Sequence, residues 1–221
     1  DASSSPLSGN VLFYNQPEPL DPARHGGLGV NAADKPYAFV GATNFVPLTV
    51  TEFAAAALSF PVVFMGDQKQ PVAVMGLRQG ENLYVSNEGD YRPDAYIPAY
   101  VRRFPFVFAD DKQNSRLILC IDRGAPIVTE GGETPLFVDG QPSDYTQMAM
   151  EFCNNFEQER LRTEAVALAE LARGLGGVGD RLLRLTLGPD EEDAPATGDG
   201  VADDAQRLLQ HGSSLCQVDD M

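Results

Sequence analysis

Apolar residues in this chain come in short runs, each cut by proline, glycine or a polar turn, until one long helical period begins near residue 144. The longest of these runs, residues 53–60 and 61–65, are interrupted by Ser59 and Pro61. Such lengths suit short strands and single helical turns. They fall well short of the roughly 18 apolar residues of a transmembrane helix. With 221 residues, 43% of them hydrophobic, the chain can still bury a sizeable core.

Read in order, residues 1–10 are Ser-rich and expected to be flexible, and residues 11–14 form a short strand. Residues 15–31 read as an extended loop in which Pro17, Pro19 and Pro22 deny helix. Residues 39–48 run extended toward Thr51, which caps an Ala-rich helix over 51–58 that Pro61 ends. Strands at 62–65, 72–77 and 83–85, joined by turn residues, predict an antiparallel meander; 117–121 and 136–138 add further strands. A helical turn is expected over 96–101 with Pro98 in its first turn, then a half-buried strand over 104–108.

Ser143 or Asp144 caps the longest helix, 145–172. Tyr145, Met148, Ala149, Phe152 and Phe156 recur along it at three- and four-residue spacing and predict a core-facing stripe. Glu157, Glu159, Arg160, Arg162 and Glu164 make the other side a solvated face, and Gly174 ends the helix. The class is therefore α+β: a mainly antiparallel sheet, a short helix and one long helix in a domain over 1–173. An irregular Gly-rich and acidic tail, 174–221, is expected to be extended or laid along a partner, with brief pairing at 182–187.

A net charge of −16 argues against nucleic acid, whose binding draws on Lys and Arg contacts to phosphate, and against an anionic membrane surface. Protein partners remain compatible, basic faces of a larger assembly among them. Cys120, Cys153 and Cys216 are widely spaced; Cys120 and Cys153 read as small buried hydrophobes, and no spacing implies zinc or a disulfide framework. His25 and His211 read as surface residues rather than parts of a catalytic pair. The glycines of 174–179 match a dinucleotide fingerprint in letters only, because they follow a helix instead of opening one. Asp67, Glu81, Asp90, Asp94, Asp110 and Asp122 are read as turn residues, and the acids of 190–193 lack the alternating oxygen ligands of a calcium loop. No cofactor and no metal follow from any of these groups.

Residues 95–108 concentrate rings, prolines and an arginine pair, and hold no nucleophile, ligand set or phosphate loop. Tyr96, Tyr100, Arg102, Arg103 and Phe104 are the candidate protein-binding residues. Guanidinium groups among rings stack and grip carboxylates. Arg102 and Arg103 have two readings, an internal clamp on the chain's own acids or an anchor for an acidic or C-terminal carboxylate on a partner.

Several segments, in order, resemble the SapC family of bacterial proteins: residues 6–14, 19–25, 43–48, 61–64, 71–77, 80–83, 94–105, 119–122, 135–137 and 151–153, with Ala95-Tyr-Ile-Pro-Ala-Tyr-Val-Arg-Arg103 as the core. The resemblance spans roughly 6–170, and after about residue 172 Gly-rich and acidic sequence replaces the family's usual ending. The family takes its name from an association with surface-layer protein export and brings no catalytic residues. The resemblance implies a non-enzymatic accessory or scaffold protein that binds other subunits. The start at Asp1 fits removal of a targeting peptide. A variant imported into an organelle is then an alternative expectation, peripheral on a large membrane complex, photosynthetic for example. Further alternatives are a hydrolase or peptide-tailoring enzyme using loop carboxylates, and a small-ligand module with a ring-lined cavity.

Overall fold

A computed structural model describes residues 11–111, 116–172 and 216–217. The expectations for residues 1–10, the helix end at Gly174, the glycine run of 174–179, pairing at 182–187, the acids of 190–193 and His211 lie outside the described residues. The described residues are α+β, with antiparallel sheets, short helices and one long helix, Asp144–Ala172. They fall into two compact units that divide between Pro36 and Tyr37, between Arg102 and Arg103 and between Glu157 and Gln158, with Cys216–Gln217 in the first.

In the first unit, residues 11–36 and 103–157, the Phe106–Asp111 strand pairs antiparallel with Arg116–Asp122, which carries Pro17–Pro19 on its far side. Cys216–Gln217 pairs parallel with the other edge of Phe106–Asp111. Strand alternation sends Phe106 and Phe108 into a core with Leu28, Leu119, Ile121, Leu136 and Cys153, and sends Val107 and Ala109 to the opposite face with Val11, Tyr14 and Cys120. Both faces are covered, which is why this strand is apolar without alternation. A second small sheet sets Leu28–Val30 between Val128–Glu130 and Thr134–Pro135. There a Cβ on Gly29 would sit 2.5 Å from the Gly132 carbonyl oxygen, so only glycine permits the approach.

Local chemistry corrects several expectations in this unit. Residues 11–14 form a turn, not a strand, because Phe13 adopts φ 80°, which breaks an extended run. The proline-rich 15–31 segment contains a helical turn, Pro22–His25: Asp21 accepts the Ala23 N–H as its cap, and Pro22 stands at the helix start, where its missing N–H costs nothing. Asp110 and Asp111 lie in a strand rather than a loop. Asp122 ends a strand, fully buried, and its carboxylate accepts the N–H groups of Asn15, Gln16 and Gly124.

The second unit is built around a three-stranded antiparallel sheet with Gln70–Val74 between Phe45–Pro47 and Val62–Met65. Phe45, Val63 and Val72 form its core cluster. The meander expected from 62–65, 72–77 and 83–85 is therefore corrected: its third member is Phe45–Pro47. Residues 83–85 form no strand: Val85 bridges Tyr91, the Leu83 N–H donates to the Met75 carbonyl at 2.8 Å, and the Asn82 side-chain oxygen takes the Tyr84 N–H that a strand would need. The expected extension of 39–48 holds only for Phe45–Pro47, since Ala38–Val40 forms a 3₁₀ turn. The helix expected over 51–58 divides into a 3₁₀ turn, Val50–Glu52, and an α-turn, Phe53–Ala56, and Thr49, not Thr51, stands at its start.

The long helix opens where Ser143 Oγ accepts the Thr146 N–H. Its buried line keeps part of the expected stripe, with Phe156 buried and Tyr145 and Ala149 packed against the core, and departs from it elsewhere. Met148 is 61% exposed, Tyr145, Ala149 and Phe152 are half-buried, and the buried positions are Thr146, Cys153, Phe156, Glu157, Thr163 and Ala167. Glu157 thus leaves the solvated face assigned to it. Polar residues hold this line because they have internal partners: Thr146 donates to the Leu136 carbonyl at 2.8 Å, and Thr163 to its own helix at Glu159. A periodicity of apolar letters cannot register them.

Candidate functional site

The candidate residues divide at the boundary between the units: Tyr96, Tyr100 and Arg102 belong to the second, Arg103 and Phe104 to the first. In the second unit the organising group is Glu52, 5% exposed, which the sequence reading did not single out. Its Oε2 accepts the Thr49 N–H and hydroxyl, both at 2.9 Å. Its Oε1 accepts the Tyr96 hydroxyl at 3.0 Å and the Ala99 N–H at 2.7 Å. A buried carboxylate surrounded by donors is strongly anchored, and here it ties the 3₁₀ turn to residues 96–99. The Thr49-x-x-Glu52 spacing is the capping-box signature, and it is the signal that points to this residue.

Tyr96 is held at every polar atom. Its N–H donates to Ser59 Oγ at 2.9 Å, its carbonyl accepts the Tyr91 hydroxyl at 2.8 Å, and its own hydroxyl meets Glu52. Burial first, then the Glu52 charge and hydrogen bond, raise the Tyr96 phenol above its ordinary value, with Arg102 opposing. The helical turn expected over 96–101 forms instead at Ala99–Arg102; Pro98 precedes it, and its carbonyl accepts the N–H groups of Val101 and Arg102. Arg102 folds back toward Tyr96: Nε donates to the Ile97 carbonyl at 3.0 Å, Nη2 to the Tyr96 hydroxyl at 3.3 Å, and the guanidinium lies 5.9 Å from the ring centroid. Arg102 remains exposed, Tyr96 and Ile97 are half-buried, and Tyr100 is 3% exposed.

In the first unit Arg103, 9% exposed, sets its guanidinium 5.7 Å from the Tyr14 ring and 4.8 Å from the Phe156 ring. Phe104, half-buried, packs its ring 5.5 Å from that of Tyr14. Burial pushes the Cys153 thiol up to about 11, with the Arg103 charge opposing, so the sulfur is a neutral thiol near pH 7. Cys120 and Cys153 are both buried, as expected.

His25 corrects its assignment to the surface: it is 2% exposed. Its Nδ1 accepts the Asp21 N–H at 3.0 Å, which puts the ring proton on Nε2, 3.3 Å from Glu18 Oε1. Arg24 and Arg123 reach the same carboxylate at 2.6 and 3.4 Å. Both imidazole nitrogens are engaged, so His25 locks the Pro22–His25 turn. Among the described residues no group of three or more His, Cys, Asp or Glu is placed to hold a metal ion, and no helix is long and apolar enough to cross a membrane.

The segment that forms these turns lies inside a wider match. The sequence model of the SapC family matches residues 20–174. The chain belongs to the SapC family. The SapC match covers Glu52, Tyr96, Arg102 and Arg103 and reaches the end of the long helix. Neither the comparison with curated proteins nor that with solved structures gave a match.

Proposed function

We propose that this SapC-family protein works by binding another protein, as an accessory or scaffold subunit, through the surface that Tyr96, Ile97 and Arg102 present on the second unit. The observation that carries the reading is the anchoring of Tyr96 at its N–H, carbonyl and hydroxyl beneath an exposed guanidinium. A ring and an arginine fixed before binding lose little conformational freedom on complex formation, and Tyr and Arg are the residue types that dominate interface free energy. The favoured partner group is a carboxylate, acidic or C-terminal, which a guanidinium grips in two places. Tyr100 is buried and is not part of this surface.

The test is native purification of the tagged protein from its source cells, with partners identified by mass spectrometry, for wild type and for Arg102→Ala. The expected result is a partner recovered with wild type and depleted roughly tenfold or more with the variant, the loss of about 1.4–2 kcal/mol typical of an interface arginine. Equal recovery with circular dichroism unchanged would remove the reading.

A further inference from the structure

We infer that the second unit pairs edge to edge with a second copy of this chain through the strand Val62–Met65. This strand borders the three-stranded sheet, and among the described residues no strand lies along its outer side. The Val74 N–H donates to the Pro61 carbonyl at 3.0 Å, which makes residues 61 and 74 a hydrogen-bonded pair of the antiparallel ladder. By alternation the next such pairs are Val63 with Val72 and Met65 with Gln70, so Val62 and Phe64 turn their N–H and C=O groups outward. Among the described residues nothing takes those groups.

The sheet guards its two borders differently. On the opposite border the Leu48 N–H donates to the Pro71 carbonyl at 2.9 Å, so the same alternation turns Phe45 and Pro47 outward, and Pro47 has no N–H to offer. Val62–Met65 carries no proline, no charge and no break in register, and a bare apolar edge invites another strand. That strand must be uncharged. Residues 53–66 contain no charged side chain, so an acid or base laid there would lose water without gaining a partner. A second copy meets the requirement. Set antiparallel across a two-fold axis, Val62 and Phe64 exchange main-chain hydrogen bonds with the second copy's Phe64 and Val62, and Val63 meets its own counterpart on the axis. The half-buried side chains of Val62, Phe64 and Met65 gain cover on both faces. The net charge of −16 opposes this contact only weakly: charges beyond about 8 Å are screened at physiological salt, and the nearest in sequence, Asp67 and Lys69, offset each other. An edge of 4 residues is far smaller than the roughly 20–30 residues a side of a standard interface, so the dimer is weak and concentration-dependent. It shares no residue with the surface of Tyr96, Ile97 and Arg102, so either can fail alone.

The test is sedimentation equilibrium of the full chain from about 5 µM to about 1 mM, with amide hydrogen exchange at both ends of that range. The expected result is a monomer–dimer equilibrium that tightens as salt is raised, with the Val62 and Phe64 amides exchanging about fivefold more slowly in the concentrated sample. Val62→Pro deletes an outward N–H that has no use within the sheet, and should weaken dimerisation roughly tenfold or more with circular dichroism unchanged. Val62→Lys sets a charge at the edge and should give the same loss without altering the main chain, which keeps the test decisive if the proline variant does not fold. A chain monomeric at the highest concentration, Val62 and Phe64 amides already protected when dilute, or a dimer that the folded variants leave unchanged would each overturn the pairing. Protection of those amides by an uncharged valine–threonine octapeptide, in a chain that stays monomeric, would overturn it in favour of a foreign strand.

Discussion

At the scale of single residues, Glu52 decides more than any ring. It joins Thr49, Tyr96 and Ala99 through a single buried carboxylate. Glu52→Gln keeps the shape but turns an amide NH₂ toward donors on one side or the other. It should cost on the order of 2–3 kcal/mol, read as a lower urea midpoint with unchanged slope. Cys153 gives a pH test. Its folded pKa is raised from 9.0 to about 11, so the neutral thiol contributes stability below pH 9. Between about pH 9 and 11 the unfolded chain loses its proton while the folded one keeps it, and that stability is lost as pH rises. Urea midpoints should fall across this window, and Cys153→Ala should flatten the fall. The sequence made Cys153 legible as a buried hydrophobe, because a cysteine beside Phe152 with no ligand spacing reads as a small apolar residue. Glu52 was hidden because a carboxylate looks solvated until its donors, 47 residues away in the case of Ala99, are brought to it.

At the scale of elements, the long helix separates what periodicity reveals from what it conceals. Its existence and extent were legible, since a helical spacing of ring and alanine positions over many turns has no other reading. Its buried line was legible only in part: Phe156, Tyr145 and Ala149 face the core, but Thr146, Glu157 and Thr163 share the line while Met148 faces water. Two substitutions distinguish the lines. Met148→Lys should change stability by no more than about 0.5 kcal/mol, as for an exposed position. Thr146→Val, nearly equal in volume, removes one of the two hydrogen bonds to the Leu136 carbonyl, which keeps the Ser143 N–H, and should cost about 1 kcal/mol by denaturant unfolding. The small sheet of the second unit teaches the same lesson. Gln70–Val74 was recognisable as a strand, but its neighbour Phe45–Pro47 is distant in sequence, and the local meander stops where the Tyr84 N–H donates to the Asn82 side-chain oxygen.

At the scale of the molecule, the α+β class and membership of the SapC family follow from an ordered series of short motifs and the match over residues 20–174. The candidate surface was only half legible. Ring and arginine content marked residues 95–108, but burial divides them: Tyr100 and Arg103 lie inside, and Arg102 stands exposed over a Tyr96 fixed from beneath. The decisive measurement is the affinity of the purified co-isolating partner for wild type, Arg102→Ala and Arg102→Lys by titration calorimetry. The account expects Arg102→Ala to lose at least tenfold and Arg102→Lys, which keeps the charge but not the fork, to recover only part of it. Identical affinities for all three proteins, each folded, would contradict it.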